Sequence, residues 1–115
     1  MKVLNFGSLN LDYVYSVDNF LRPGETKSAM DRNIFLGGKG FNQSIALAKA
    51  GIPVYHAGNA GESAEVFRRE LEQYGADVRF LKGGDEVCGH AMIQVDSRGQ
   101  NCILIFHGSN YNIDE

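Results

Sequence analysis

Gly37-Gly38-Lys39-Gly40-Phe41-Asn42-Gln43-Ser44-Ile45-Ala46 is the stretch from which the rest of the chain is read. Three glycines in four positions allow backbone conformations closed to other residues and let a ligand come close to the main chain. Lys39 and Asn42 place polar side chains in the same turn, and Ile45-Ala46-Leu47-Ala48-Lys49-Ala50 follows as a helix-forming, mostly apolar run closed by Gly51. A glycine-rich loop feeding a helix presents unpaired N–H groups and the positive end of the helix dipole, which suits a polar ligand. Two better-known loops are excluded on residues whose role is steric. The Walker pattern asks for Ser or Thr where Gly40 stands and for glycine where Asn33 stands; the dinucleotide fingerprint asks for glycine at Gln43. A plain strand-to-helix turn is the bland alternative for the same residues.

Upstream, Val3-Leu4-Asn5-Phe6 is a short apolar run of the first-strand type, ending in Gly7-Ser8. Asn10 and Asp12 come directly after it, two residues apart and so on one face of an extended chain. An amide beside a carboxylate donates and accepts in the pattern a vicinal diol needs. Both residues also serve commonly in turns, and that reading stays open. Arg22-Pro23-Gly24-Glu25-Thr26 is a turn with proline and glycine adjacent.

Taken together, Gly7-Ser8-Leu9-Asn10-Leu11-Asp12, Pro23-Gly24-Glu25-Thr26, Gly37-Gly38-Lys39-Gly40-Phe41-Asn42-Gln43 and the segment from Gly89 to His107-Gly108-Ser109-Asn110 resemble, in the same order, the ribokinase-like carbohydrate kinases of the phosphofructokinase-B type. The resemblance covers nearly the whole chain. It implies an α/β fold, a ribokinase-like doubly wound sheet with a small β-sheet lid, whose lid strands lie at about 11–17, 32–36 and 88–106. It implies that Asn10 and Asp12 bind sugar hydroxyls, that Gly38, Lys39, Gly40 and Asn42 bind them from the other side, and that Ala91 and Ile93 touch the sugar more weakly. Ribose is the substrate the Gly-Lys-Gly element favours, although relatives act on fructose, deoxysugars and nucleosides. ATP, Mg2+ and a monovalent cation are the implied cofactors, and a homodimer through the lid the implied assembly. Phe41 stands where the family usually has a small residue, and Gly61-Glu62-Ser63 replaces a Gly-Asp-Asp-x-x-Gly stretch, with Val66 at the last glycine.

The family's Gly-Ala-Gly-Asp motif, which carries the anion hole and the catalytic aspartate, has no counterpart here, nor does its Asn-x-x-Glu element. The expectation is therefore that residues 1–115 form the N-terminal sugar-binding portion of a kinase, that no catalytic or metal-binding residue lies in them, and that the nucleotide-binding portion is absent. Tyr111-Asn112-Ile113-Asp114-Glu115 reads as the first turn of an unfinished helix. The alternative is a non-catalytic sugar-binding or dimerisation module.

Composition bounds the partners. Apolar residues make up 43% of the 115, enough for a core. A formal charge of −3 and no basic run argue against nucleic acid. No apolar stretch approaches the roughly 20 residues that span a bilayer, and Met1-Lys2 leads straight into a strand, so a cytoplasmic enzyme is expected. Cys88 and Cys102 are expected as free thiols: a hairpin turning at Ser97-Arg98-Gly99-Gln100 sets Cys102 opposite Val95, not Cys88. His56, His90 and His107 show no zinc-ligand spacing and read as structural.

The pattern predicts strands at 2–7, 11–17, 32–36, 53–57, 78–81, 88–95 and 101–106, and helices at 40–50 and 63–74. In the second helix Ala64, Phe67, Leu71 and Tyr74 share a face, Ser63 can cap its start and Gly75 can end it. Tyr13 and Tyr15 alternate along their strand and can meet either a partner subunit or the sugar.

Overall fold

Residues 2–112 are described by a computed structural model. The predicted helix start at Asp114 and Glu115 lies outside them. In chain order the elements are β1 (Val3–Phe6), β2 (Asn10–Ser16), β3 (Asp31–Gly37), α1 (Lys39–Lys49), β4 (Val54–Asn59), α2 (Ala64–Gln73), β5 (Leu81–Lys82), β6 (Gly89–Val95) and β7 (Asn101–Phe106), with single 3-10 turns at Gly61–Ser63 and Gly108–Tyr111. Strands separated by helices pair in parallel, as crossover connections require: β1, β4 and β5 form one parallel sheet in the order β1-β4-β5. The remaining strands make a second sheet, β3-β2-β6-β7, in which β2 and β6 are parallel and both outer pairs antiparallel.

Phe67, Leu71, Leu9, Phe41, Val54 and Leu81 are the large residues of the core. Phe41 is buried and meets Phe67 edge to face at 5.3 Å, so the departure at this position fastens α1 to α2. Along α2, Ala64, Phe67 and Leu71 face inward, while Arg68 pairs with Glu65 at 2.8 Å on the outer face. Gly51 and Gly75, with φ of 80° and 91°, end the two helices in the left-handed conformation that glycine adopts freely. No helix among the described residues is long and apolar enough to cross a membrane.

Three local expectations need correction. Ser63 precedes α2 but makes no capping bond. The strand expected at 78–81 shrinks to Leu81–Lys82, because the Asp77 carboxylate accepts from the Arg79 N–H and guanidinium and folds the preceding residues into a turn. The β6–β7 turn also holds one residue more than expected. Asp96 joins it, its carboxylate accepting from the Arg98 and Gln100 N–H groups, so Asn101 faces Val95 and Cys102 faces Gln94. Both cysteines are free, Cys88 buried and Cys102 exposed; burial pushes the Cys88 thiol up to about 11.

Candidate functional site

β2 runs through the middle of the second sheet and carries Asn10 and Asp12 on one face. Asn10 is flanked by Gly37 of β3 and Gly89 of β6; Asp12 is flanked by Phe35 and Ala91. Register partners share a face, so Asn10, Asp12, Ala91 and Ile93 point to the same side. Tyr13 and Tyr15 point to the other, which removes them from the face that carries Asp12.

Two glycines form the floor under the polar pair. A Cβ on Gly37 would lie 2.6 Å from Asp12 Oδ2, and one on Gly89 would lie 2.6 Å from Asn10 Oδ1 and run into Asn110. The two side chains thus lie across neighbouring strands where only a hydrogen leaves room. Asn10 Oδ1 accepts from Asn110 Nδ2 at 2.7 Å, and Asn110 also brackets Leu9, accepting from its N–H at 2.9 Å and donating to its carbonyl at 3.1 Å. Asn110 is held in turn by its neighbour: the buried Ser109 hydroxyl donates to the Asn59 carbonyl at 2.9 Å. Asn110, Gly37 and Gly89 are positioning residues that motif reading did not single out, although all three sit inside the quoted motifs.

The glycine loop arrives from β3. Gly38 has φ of 103°, and a Cβ there would press on Ser8 at 2.6 Å. Gly40 rests on Gly7 so closely that a Cβ would stand 2.5 Å from its Cα. Two amides at the start of α1 are already used: Phe41 N–H donates to the Ser8 carbonyl at 3.0 Å and Asn42 N–H to the Gly38 carbonyl at 2.9 Å. These two N–H groups are therefore not open to a ligand. Lys39 and Asn42 are exposed and their side chains make no hydrogen bond or ion pair among the described residues.

Asp12 stands in the same state. Its carboxylate is half-buried, has no donor or cation beside it among the described residues, and is raised above its ordinary pKa by loss of water alone. The loop and β2 meet where Gly37 pairs with Asn10, two residues along β2 from Asp12; Lys39 follows Gly37 by two residues and Asn42 by five. Cavities of about 590, 320 and 660 Å3 lie elsewhere, lined chiefly by residues of β2, β6 and β7 or around Tyr111. Ile93 lines the first of these as well.

Residues 1–115 match the pfkB family carbohydrate kinase over their whole length. The chain belongs to that family. Among pfkB relatives, it is 34% identical over 112 residues to a ribokinase of Haemophilus influenzae, covering 95% of this chain and 37% of that protein. Among solved structures, it is similar to ribokinase from Cryptococcus neoformans var. grubii in complex with ADP, with a TM-score of 0.91, 36% identity and coverage of 99% of this chain and 36% of that one. Arabidopsis thaliana ribokinase complexed with ribose and ATP superposes with a TM-score of 0.84 at 33% identity, covering 95% of this chain and 36% of that one. The fold is ribokinase-like, and the chain spans little more than a third of the length of these relatives.

Proposed function

We propose that this chain is the sugar-binding portion of an ATP-dependent ribokinase-like enzyme that phosphorylates a sugar hydroxyl, with ribose as the substrate. The carboxylate of Asp12 carries this reading: a carboxylate that has lost water, with no partner among the described residues, on the same face as Asn10 and against Gly37 at the start of the Gly-Lys-Gly loop, suits hydroxyl donors. Asp12 accepts from one or two sugar hydroxyls, Asn10 donates to another, and Lys39 and Asn42 engage the opposite rim, with Gly38 and Gly40 allowing the approach. Ala91 and Ile93 supply the apolar surface beneath the ring. In phosphoryl transfer little covalent work falls to the protein, and holding the acceptor hydroxyl in line is the larger part of the task. The second sheet acts as the lid that keeps water from the acceptor position.

ATP and Mg2+ belong, in this reading, to the portion of the family that this chain does not span, together with the catalytic aspartate and any monovalent cation. When bound, magnesium offsets phosphate charge, and no residue described here is assigned to it. The enzyme is read as cytoplasmic and homodimeric, with the lid as the contact. Met92, Leu104, Phe106 and Ile34 support the contact, being exposed apolar residues on the face that Tyr13 shares.

The test is turnover by the complete enzyme with ribose, 2-deoxyribose, fructose and a nucleoside, with products read by 31P NMR. Ribose is expected to be phosphorylated with the highest kcat/KM. Heat of sugar binding without ATP turnover would establish the binding-module alternative, and neither would end the reading.

A further inference from the structure

Beneath the glycine loop, Asn5, Ser44 and His56 form a hydrogen-bond chain that the proposed sugar contacts do not use. Ser44 and His56 are fully buried. His56 Nε2 faces the Gly7 carbonyl at 3.3 Å, and a carbonyl only accepts, so Nε2 carries the ring hydrogen. Nδ1 then accepts from the Ser44 hydroxyl at 2.6 Å, and the Ser44 oxygen accepts from Asn5 Nδ2 at 2.9 Å. Asn5 Nδ2 also donates to the Gly40 carbonyl at 2.7 Å. Among the described residues no buried side-chain atom is left unsatisfied, although burying the polar side chains of Ser44 and His56 is costly where apolar ones would fit.

The two ends of this chain fall on the two backbones that touch. One end is the Gly7 carbonyl and the other the Gly40 carbonyl, and a Cβ on Gly7 would stand 2.6 Å from the Gly40 Cα, one on Gly40 2.5 Å from the Gly7 Cα. One residue further on, Phe41 N–H donates to Ser8. Ser8 leads to Asn10 and Asp12 on β2; Gly40 lies between Lys39 and Asn42. We propose that Asn5, Ser44 and His56 are positioning residues for the sugar subsite, because their hydrogen-bond chain fixes the Gly38-Lys39-Gly40 loop against Gly7-Ser8 and so sets where Lys39 and Asn42 stand relative to Asn10 and Asp12. The kinetic consequence rests on the sugar-kinase reading above; the structural consequence does not.

A proton on Nδ1 would take away the acceptor of the Ser44 hydroxyl. Burial already holds His56 below its ordinary 6.5, opposed by the Gly7 carbonyl, and no charged side chain acts on it. From α1 it faces Ser44, from β1 Asn5 and from the loop after it Gly7, and Asp77 offers its backbone carbonyl to the His56 N–H while its carboxylate turns to Arg79.

Ser44→Ala and His56→Gln in the complete enzyme test this, read by amide hydrogen exchange and by sugar and ATP KM against pH. Expected is roughly tenfold faster exchange at Phe41 and Asn42 relative to the β6–β7 hairpin, and a sugar KM raised about tenfold with ATP KM unchanged, as loss of one buried hydrogen bond implies. Wild-type sugar KM is expected to rise as pH falls through the folded pKa of His56, which lies below 6.5; His56→Gln should lose that part of the acid limb and keep the part that protonation of Asp12 produces. Exchange that is unchanged or uniformly faster overturns the assignment, as does an unchanged sugar KM. A local exchange response in a protein that phosphorylates no sugar supports the loop assignment and ends the kinase reading. Ser44→Ala deletes one oxygen and carries the test by itself if His56→Gln does not fold.

Discussion

Asp12 concentrates the electrostatic cost of the free site. Its carboxylate has lost water without gaining a partner among the described residues, so its folded pKa lies above the ordinary 3.8 and ionisation is disfavoured until a ligand donates to it. In the proposed sugar site hydroxyls would bind the charged form, so ligand should pull the Asp12 pKa back down, a shift that carboxyl NMR of the enzyme with and without ribose measures. Hydrogen bonds to a charged acceptor are worth about 1.5–3 kcal/mol, so Asp12→Asn should raise the sugar KM at least about tenfold. Gly37→Ala makes a narrower test. Its φ is not in the left-handed region, and the added methyl meets only the end of the Asp12 side chain. Sugar KM should rise by several-fold, on the order of 1 kcal/mol, while Tm stays within a few degrees. That Asn10 and Asp12 lie on one face was readable from their spacing. Asn110 could not be assigned its task, because it lies 100 residues from Asn10 and only the fold lays one amide on the other.

At the scale of elements, α1 is held at its start by backbone contact rather than by a capping side chain: Gly38 occupies the cap position with no side-chain bond, and Ser8 receives the Phe41 N–H. The polar chain under it makes stability depend on pH. His56 has a folded pKa below its unfolded 6.5, so the unfolded chain takes up the proton first. Its contribution is complete above 6.5 and is lost as pH falls through the folded value. Urea unfolding at pH 7.5 and pH 5 should show lower stability at the acid end, with a smaller difference in His56→Gln. Helix positions were readable from Phe67 and Leu71 and from the glycines that end each helix. The strand at 78–81 and the register of Cys102 were not, since both turn on an aspartate that bonds its neighbours' backbone, a choice that the apolar pattern does not encode.

The whole molecule is open. Its radius of gyration is 15.9 Å and its extents 51 × 30 × 17 Å, against roughly 13 Å for a compact domain of this size. The exposed apolar residues of the second sheet account for much of this: Leu104 is 70% exposed and Phe106 53%. If the outer face is the subunit contact, Leu104→Lys in the complete enzyme should shift sedimentation from dimer to monomer, and an unchanged dimer would place the contact elsewhere. The chain by itself determined the family, the alternation of strands and helices and the two polar clusters, because glycine patterns and side-chain periodicity are local properties written residue by residue. Tertiary structure alone decided that Gly37 and Gly89 lie beside Asp12 and Asn10, that Tyr13 and Tyr15 face away, and that Asn5, Ser44 and His56 join beneath the loop. Those relations depend on which strands become neighbours, and neighbours in space are fixed only once the sheets have formed.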